Sequence, residues 1–298
     1  MLRSIFYTVV MFVLLFDAHA GEFGYAKDAS NRLYITYEGR IETGDADKFR
    51  QLLLRDKYNF LHASGLIVNS PGGSMDEALN LAELVESSGL RVDVSENGIC
   101  ASSCFLVYVS APVRFSTAPV IIHRPYYDME RAVGSDGPTY ERAYRDAFAH
   151  TRAYLSDRLV PNYLIDVLMT KGSAQGYTLT PRDIAAVGVM SPAVSEYSQQ
   201  LCGLPQDRLA TTQELDSARA CIDEYLFHAR FNFLYGARGP AARNRFLELG
   251  AYTGSLRRLD PGCYERLGEY SQELRKIVDS QPPDNWLLFA EKICPNLP

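Results

Sequence analysis

Between residues 65 and 96 the chain alternates a strand, a helix and a second strand, and this order constrains its fold more than any other feature. Residues 65–70 (GLIVNS) form a short apolar run that ends at a Pro-Gly-Gly turn. Ser74 follows as a helix N-cap, with Glu77 three residues later in the pattern of a capping box. Residues 91–96 (RVDVSE) then alternate as a strand does. Such βαβ units predict an α/β fold with a parallel sheet and helical cover.

Further segments continue this alternation. Residues 33–41 (LYITYEGRI) and 118–123 (APVIIH) have the β-branched and aromatic composition of strands. Asp45 follows the first of them and is expected to cap a helix. A long helix is predicted from about residue 139 to residue 159, and a short one that begins with a proline within residues 179–189 (LTPRDIAAVGV).

The first residues have the pattern of an export leader. Arg3 supplies a positive charge, Ile5 to Phe16 are mostly apolar, and Ala18-His19-Ala20 has the small-x-small pattern of a cleavage site. A membrane anchor is the alternative, but the apolar run is short for a bilayer span of about 20 residues. We therefore expect residues 1–20 to be a signal peptide and the mature protein to be periplasmic or secreted.

The cysteine count fits that location. An even number of cysteines in an exported chain predicts disulfides, and nearness in sequence favours pairing Cys202 with Cys221 and Cys263 with Cys294. For Cys100 and Cys104 a bridge and two small buried thiols remain alternatives. With no Cys-x-x-Cys and no paired histidines, we expect no metal site. The six cysteines are Cys100, Cys104, Cys202, Cys221, Cys263 and Cys294.

The character of the chain changes near residue 200, where strand signals end and helical patterns punctuated by Pro and Gly begin. We expect a main domain at residues 21–198 and a helical, cysteine-containing module at 199–298. The net charge of −6 and the pI of about 5.5 lack the basic footprint of a nucleic-acid-binding protein. After the leader, no segment is long and apolar enough to predict a stable membrane span.

Residues 69–73 (NSPGG) are the first candidate for a functional site. They stand at the carboxyl end of a predicted strand, which is where open α/β folds bind ligands. Glycine lets backbone N–H groups approach a ligand closely, and such groups can stabilise an oxyanion. An ordinary strand-to-helix turn is the alternative interpretation.

Ser102 and His123 are candidates for a nucleophile and its base. Ser102 lies in the small-residue run 98–104 (GICASSC), where a turn can expose its hydroxyl while the next N–H, that of Ser103, faces the same oxyanion. His123 ends the predicted strand 118–123, and a neutral imidazole there can accept the serine proton. The alternatives are a tightly packed turn for the serine and a hydrogen-bonded structural role for the histidine.

Taken together, NSPGG at 69–73, GICASS at 98–103 and IIHRP at 121–125 resemble the proteolytic subunit of Clp-type proteases and its crotonase-fold relatives. The resemblance extends over roughly residues 30–190. It implies a Clp-protease/crotonase-like α/β fold. Because Clp-type relatives assemble into rings, it also makes a homo-oligomer plausible.

The resemblance also implies roles for individual residues. Ser102 would be the nucleophile and His123 the general base, and the N–H groups of Gly73 and Ser103 would form the oxyanion hole. No cofactor is implied. Ser103 competes with Ser102 for the role of nucleophile.

One part of the family pattern is missing. In the family an Asp shortly before the last helix orients the histidine, whereas residues 174–177 here read AQGY and contain no carboxylate. Asp166 and Asp128 are possible substitutes, although neither matches the motif. Losing the third member of a triad costs about 10⁴ in rate in the serine-protease example.

Three hypotheses follow for the function. The first is an ATP-independent, exported serine hydrolase, a peptidase acting on peptides or proteins, since the sequence has no Walker motif. The second is a catalytically inactive Clp-like binding or assembly protein, as the missing Asp suggests. The third, a crotonase-like acyl-thioester enzyme, fits poorly with export because coenzyme A is a cytoplasmic cofactor.

Overall fold

In a computed structural model of the chain, residues 20–125, 137–172, 175–205 and 211–235 are described. The expected leader, Asp128, Ala174, the Cys263–Cys294 pair and the chain beyond residue 235 therefore lie outside the described residues, apart from Ala20 at the end of the leader.

Two sheets form the framework. In the larger sheet, β1 pairs antiparallel with β2, and β2, β3, β4 and β6 run parallel to one another in that order. In the smaller sheet, β7 lies between β5, which is parallel to it, and β8, which is antiparallel. The strands are β1 (Glu22–Lys27), β2 (Leu33–Glu38), β3 (Leu66–Asn69), β4 (Val92–Val94), β5 (Cys100–Ala101), β6 (Arg114–Ser116), β7 (Val120–Ile122) and β8 (Tyr177–Thr178).

Helices follow most of these strands and pack against them, which confirms the prediction of an α/β fold with a parallel sheet and helical cover. No helix among the described residues combines the length and the apolar character needed to cross a membrane. The helices are α1 (Asp45–Arg55), α2 (Lys57–His62), α3 (Met75–Ser87), α4 (Cys104–Ser110), α5 (Gly137–Asp157), α6 (Asn162–Thr170), α7 (Pro181–Val187), α8 (Pro192–Leu201) and α9 (Thr212–Tyr235).

One core lies between the larger sheet and the helices α1, α3 and α4. Phe49 and Leu53 of α1 and Val85 of α3 are fully buried there beside Val92 of β4. Each such side chain stabilises the fold by about 1.5–3 kcal/mol relative to leaving it in water. The core fixes the carboxyl ends of β3 and β5, where the candidate residues lie.

Asp45 does not cap α1 as the sequence predicts. The N-cap is Gly44, whose φ of 98° is left-handed, and Asp45 is the first helical residue. The buried Asp45 carboxylate instead accepts hydrogen bonds from the Tyr37 hydroxyl and the Glu42 N–H, both at 2.8 Å. The prediction was wrong because burial turns this carboxylate toward the preceding strand and loop.

The capping box at Ser74 is only half formed. Ser74 Oγ accepts from the Glu77 N–H at 3.4 Å, as predicted. The buried Glu77 carboxylate does not return the bond, because it accepts from the Ala46 N–H in α1 at 2.6 Å. Glu77 therefore ties α3 to α1. Gly89, with a φ of 66°, follows α3 in the left-handed conformation.

Helix α9 packs against the main core. Phe233 meets Phe60 of α2 with ring centroids 5.7 Å apart, and Arg230 donates to the Gly89 carbonyl at 3.3 Å. A disulfide joins Cys202, just after α8, to Cys221 in α9, which confirms this predicted pair. The domain division near residue 198 stays a prediction.

Candidate active site

Three segments meet at one edge of the sheets. The Ser70 N–H donates to the Ile99 carbonyl at 2.7 Å, and the Ala101 N–H donates back to the Ser70 carbonyl at 2.9 Å. The Ser102 N–H donates to the Ile121 carbonyl at 2.8 Å. The NSPGG, GICASS and IIHRP segments are therefore adjacent, as the resemblance implied.

A cleft of about 460 Å³ opens at this edge, and all four candidate residues line it: Gly73, Ser102, Ser103 and His123. Its wall also carries the ionisable side chains Arg40, Glu42 and Asp76 and the apolar side chain Leu106. The structure thus brings together a hydroxyl pair, an imidazole and a glycine turn around one space. Its volume falls within the range of about 300–1,000 Å³ that is usual for ligand pockets.

The two glycines of the turn are required by close packing. Gly72 has a φ of 86°, and a Cβ there would lie 2.5 Å from the Ala101 carbonyl oxygen. A Cβ on Gly73 would overlap the carbonyl oxygen of Ile41. Ile41 in turn donates its N–H to the Gly72 carbonyl at 3.0 Å. The turn is therefore held between the loop after β2 and the β5–α4 turn.

Ser102 stands on a strained turn with its hydroxyl available. Its φ is 57°, a left-handed value that non-glycine residues rarely adopt. Strain of this kind costs about 1–3 kcal/mol and persists where the surroundings enforce it. The side chain is half-buried at the cleft, and among the described residues its Oγ has no hydrogen-bond partner. Ser102 therefore lines the cleft with a hydroxyl that no described residue occupies.

A disulfide joins Cys100 and Cys104 around this turn, so the bridge that the sequence left open is formed. The Cα atoms are 5.3 Å apart, and both cysteines are buried. One half-cystine belongs to β5 and the other begins α4. The bridge therefore fixes the distance between strand and helix across Ser102.

His123 lies half-buried just after β7, and its ring is oriented by the backbone. Nδ1 is 2.9 Å from the carbonyl oxygen of Arg124. A carbonyl can only accept, so Nδ1 carries the proton in this contact and Nε2 of the neutral ring keeps its lone pair. That is the tautomer a general base needs. The Arg124 carbonyl therefore fixes the orientation of the His123 ring.

Asp183 is a carboxylate that the sequence argument overlooked. It lies in α7, shortly after residues 174–177, and accepts from the hydroxyls of Tyr163, Tyr177 and Thr180 at 2.7, 2.9 and 2.7 Å. The Thr180 N–H donates to it as well, at 2.9 Å. The pattern Thr-x-x-Asp before a helix, a capping box, could have identified it from sequence.

These bonds determine what Asp183 can do. Burial alone would raise its pKa, but the hydrogen bonds from the Thr180 N–H and from the three hydroxyls outweigh burial and lower the pKa to about 2. The Asp183 carboxylate therefore has a structural role, because its hydrogen bonds join α6, β8 and α7. The other alternative, Asp166, is exposed and pairs with Arg152 at 2.8 Å.

The predicted oxyanion donors show one departure from expectation. The Gly73 N–H donates to Ser103 Oγ at 2.8 Å. Ser103 is buried, and it is the N-cap residue of α4. The Gly73 amide therefore meets a serine hydroxyl in this structure, a contact that depends on a rotamer and could not be foreseen from the motif.

Comparison with known proteins agrees with the resemblance. The Clp protease family matches the chain over residues 23–136. No curated protein matches it in sequence. Similar solved structures include a membrane-bound stomatin-specific protease, captured as a mutant with a substrate peptide, at 18% identity over 59% of this chain and 84% of that one, with a TM-score of 0.38.

Two other solved structures are also similar to the chain. A mutant of ClpP1 from Listeria monocytogenes is 17% identical over 52% of this chain and 86% of that one, with a TM-score of 0.37. An enoyl-CoA hydratase from Bacillus halodurans is 12% identical over 90% of this chain and 99% of that one, with a TM-score of 0.32. The segment that the Clp protease family model matches, residues 23–136, holds all four candidate residues: Gly73, Ser102, Ser103 and His123.

Proposed function

We propose that this chain is an exported, ATP-independent serine peptidase with Ser102 as nucleophile and His123 as general base. The observation that carries the proposal is that Ser102 and His123 line the same cleft, and that His123 Nδ1 bonds to a backbone carbonyl. The match to the Clp protease family supports the same chemistry.

The reaction follows from these positions. Ser102 Oγ attacks the carbonyl carbon of a peptide bond, and its proton passes to Nε2 of His123. The carbonyl π electrons move to oxygen and give a tetrahedral oxyanion. This collapses with expulsion of the amine, which takes the proton from Nε2. Water then attacks the acyl-serine by the same route, releasing the acid and restoring Ser102.

Export and independence from ATP rest on the sequence. The leader pattern at residues 1–20 favours secretion, and a compartment outside the cytoplasm has no ATP supply to drive an unfoldase. Two disulfides among the described residues suit an oxidising compartment. The substrates would then be peptides or flexible protein segments. A homo-oligomer is part of the proposal, by analogy with Clp-type rings.

A fluorophosphonate probe tests this proposal, since it reacts with activated serines. The oxidised mature chain should be labelled, and peptide mass spectrometry should place the adduct on Ser102. Ser102→Ala should abolish labelling, and His123→Gln should slow it by about 10³-fold or more. Labelling that persists in Ser102→Ala would remove Ser102 from this role.

An inactive binding or assembly protein is the second candidate. Two observations favour it. Residues 175–177 contain no carboxylate, and the Gly73 N–H already donates to Ser103 Oγ. This candidate requires that the folded, oxidised chain fail to react with the probe while still binding peptides. Labelling at Ser102 that depends on His123 would exclude it.

A further inference from the structure

The hydroxyl of Ser103 occupies a special position in the cleft. Its Oγ lies 2.8 Å from the Gly73 nitrogen, within the 2.7–3.1 Å range at which an oxyanion would accept from that amide. Both residues line the cleft beside Ser102 and His123. The oxygen thus stands where the resemblance would place the oxyanion's contact with Gly73.

The hydroxyl accepts a bond without returning one inside the described residues. Ser103 Oγ takes the Gly73 N–H, and its own proton has no acceptor there. A serine hydroxyl has one donor and two acceptor positions, so the Ser103 O–H can donate a hydrogen bond to a group bound in the cleft. Because the oxygen already accepts from an N–H, its O–H is polarised and becomes a stronger donor.

We propose that the Ser103 hydroxyl is an oxyanion donor of this site: it accepts a hydrogen bond from the Gly73 N–H and donates one to the oxyanion of the tetrahedral intermediate. The proposal rests on the serine peptidase function above. The oxyanion accepts from the Ser103 O–H while Ser103 Oγ keeps its bond from the Gly73 N–H. No proton is transferred in this step, since the hydroxyl only donates a hydrogen bond. Ser103 contributes through its side chain as well as its N–H.

Packing disfavours a change of the Ser103 rotamer that would release the Gly73 N–H. Ser103 is 7% exposed, so its side chain has little open space around it. The Cys100–Cys104 disulfide restrains the same turn. A buried side chain on a restrained turn has little room to change rotamer. The burial and the accepted N–H also make Ser103 a poorer nucleophile than Ser102, whose oxygen is free.

The test measures fluorophosphonate labelling of the oxidised mature chain and separates the limiting rate kinact from the binding constant KI. Ser103→Ala should lower kinact by about 10²-fold, the effect of losing one oxyanion donor, and leave KI unchanged. Ser103→Thr keeps the hydroxyl and should retain most of the rate. Ser110→Ala is the matched control, because Ser110 is likewise a buried serine, at the end of α4, but its hydroxyl donates to the Val107 carbonyl. It should leave kinact unchanged.

The outcomes are distinct. A faster reaction in Ser103→Ala would show that the hydroxyl blocks the Gly73 amide, and would overturn this proposal. An unchanged rate would overturn it too, as would an adduct on Ser103. In each of these cases labelling that is lost in Ser102→Ala leaves the peptidase function standing. An unsubstituted chain that is folded yet never labelled at Ser102 would remove both proposals.

Discussion

The disulfide between Cys100 and Cys104 encloses Ser102 and Ser103, two of the serines that line the cleft. The enclosed turn includes the left-handed residue Ser102, with a φ of 57°. A short covalent loop removes other conformations of this turn from the unfolded chain, and in the folded chain it resists relaxation of the strain. The bridge therefore acts on the geometry of the site as well as on stability.

Replacing both cysteines of this bridge by serine should lower stability and activity together. For a sequence separation of 4, the chain-entropy contribution is about 2 kcal/mol. We expect the free energy of unfolding to fall by about that amount, and the labelling rate at Ser102 to fall because the turn relaxes. Urea unfolding and the probe reaction measure the two effects.

The other disulfide provides the control. Cys202 and Cys221 are separated by 19 residues, so the same reasoning gives about 3 kcal/mol for the larger loop. Cys202→Ser with Cys221→Ser should therefore destabilise the chain more than the first pair, yet leave the labelling rate unchanged. Equal losses of rate in both double variants would mean that the Cys100–Cys104 bridge has no particular role at the site.

Much of the fold could be predicted because it depends on local patterns. The apolar run at 65–70, the Ser74 cap and the alternation at 91–96 identify β3, α3 and β4, and parallel pairing then brings the NSPGG turn to a shared sheet edge. The same logic placed Ser102 and His123 at one cleft. These positions follow from strand order and need no knowledge of side-chain rotamers.

The contacts that the sequence could not reveal join residues far apart in the chain. Glu77 bonds to Ala46 instead of closing its own capping box, because α1 lies against α3. The Gly73–Ser103 contact needs a particular rotamer of a serine 30 residues away. Such partners are chosen by packing, which single-sequence patterns do not encode.

Gly72→Ala should destabilise the chain more than Gly44→Ala. Both glycines have left-handed φ values, 86° and 98°, so both substitutions carry a backbone cost of about 1–2 kcal/mol. A Cβ at Gly44 meets nothing within 4 Å, whereas one at Gly72 lies 2.5 Å from the Ala101 carbonyl oxygen. Overpacking should add about 1–3 kcal/mol at Gly72.

Denaturant unfolding of both alanine variants measures this difference directly. Labelling at Ser102 should also fall in Gly72→Ala, because the clash pushes on the turn that carries the serine, and should be unaffected in Gly44→Ala. Equal stabilities of the two variants would contradict the close approach at Gly72.

Arg114 is a buried cation held by carbonyl oxygens. It is 1% exposed, and its guanidinium donates to the carbonyls of Val109, Val187, Gly188 and Met190 at 2.6, 2.7, 2.8 and 3.2 Å. Burial lowers the pKa of Arg114. Three of these carbonyls, those of Val109, Val187 and Gly188, lie at or next to the C-terminal ends of α4 and α7, where partial negative charge favours a cation.

Arg114→Ala should lower the free energy of unfolding by about 3–5 kcal/mol, because it leaves buried carbonyls without donors and opens a cavity. Arg114→Lys should recover only part of the loss, since an ammonium cannot reach carbonyls on several sides as a guanidinium does. Arg152→Ala, which breaks the exposed pair with Asp166, should cost under about 1 kcal/mol. Urea titrations compare the three, and similar losses for Arg114→Ala and Arg152→Ala would contradict the buried network.

Stability in acid should depend on Asp183. Its pKa in the folded chain is about 2, below the ordinary value of 3.8, so the unfolded chain binds its proton first as the pH falls. The stabilisation is therefore complete above about pH 4 and is lost progressively toward pH 2.

Asp183→Asn should cost about 1–3 kcal/mol at neutral pH and flatten the dependence of stability on pH in this window. Tyr177→Phe removes one of the hydroxyls that donate to the carboxylate and should flatten it partly. Urea midpoints at several values between pH 2 and 6 measure the slopes, and an unchanged slope in Asp183→Asn would assign the acid sensitivity to other carboxylates.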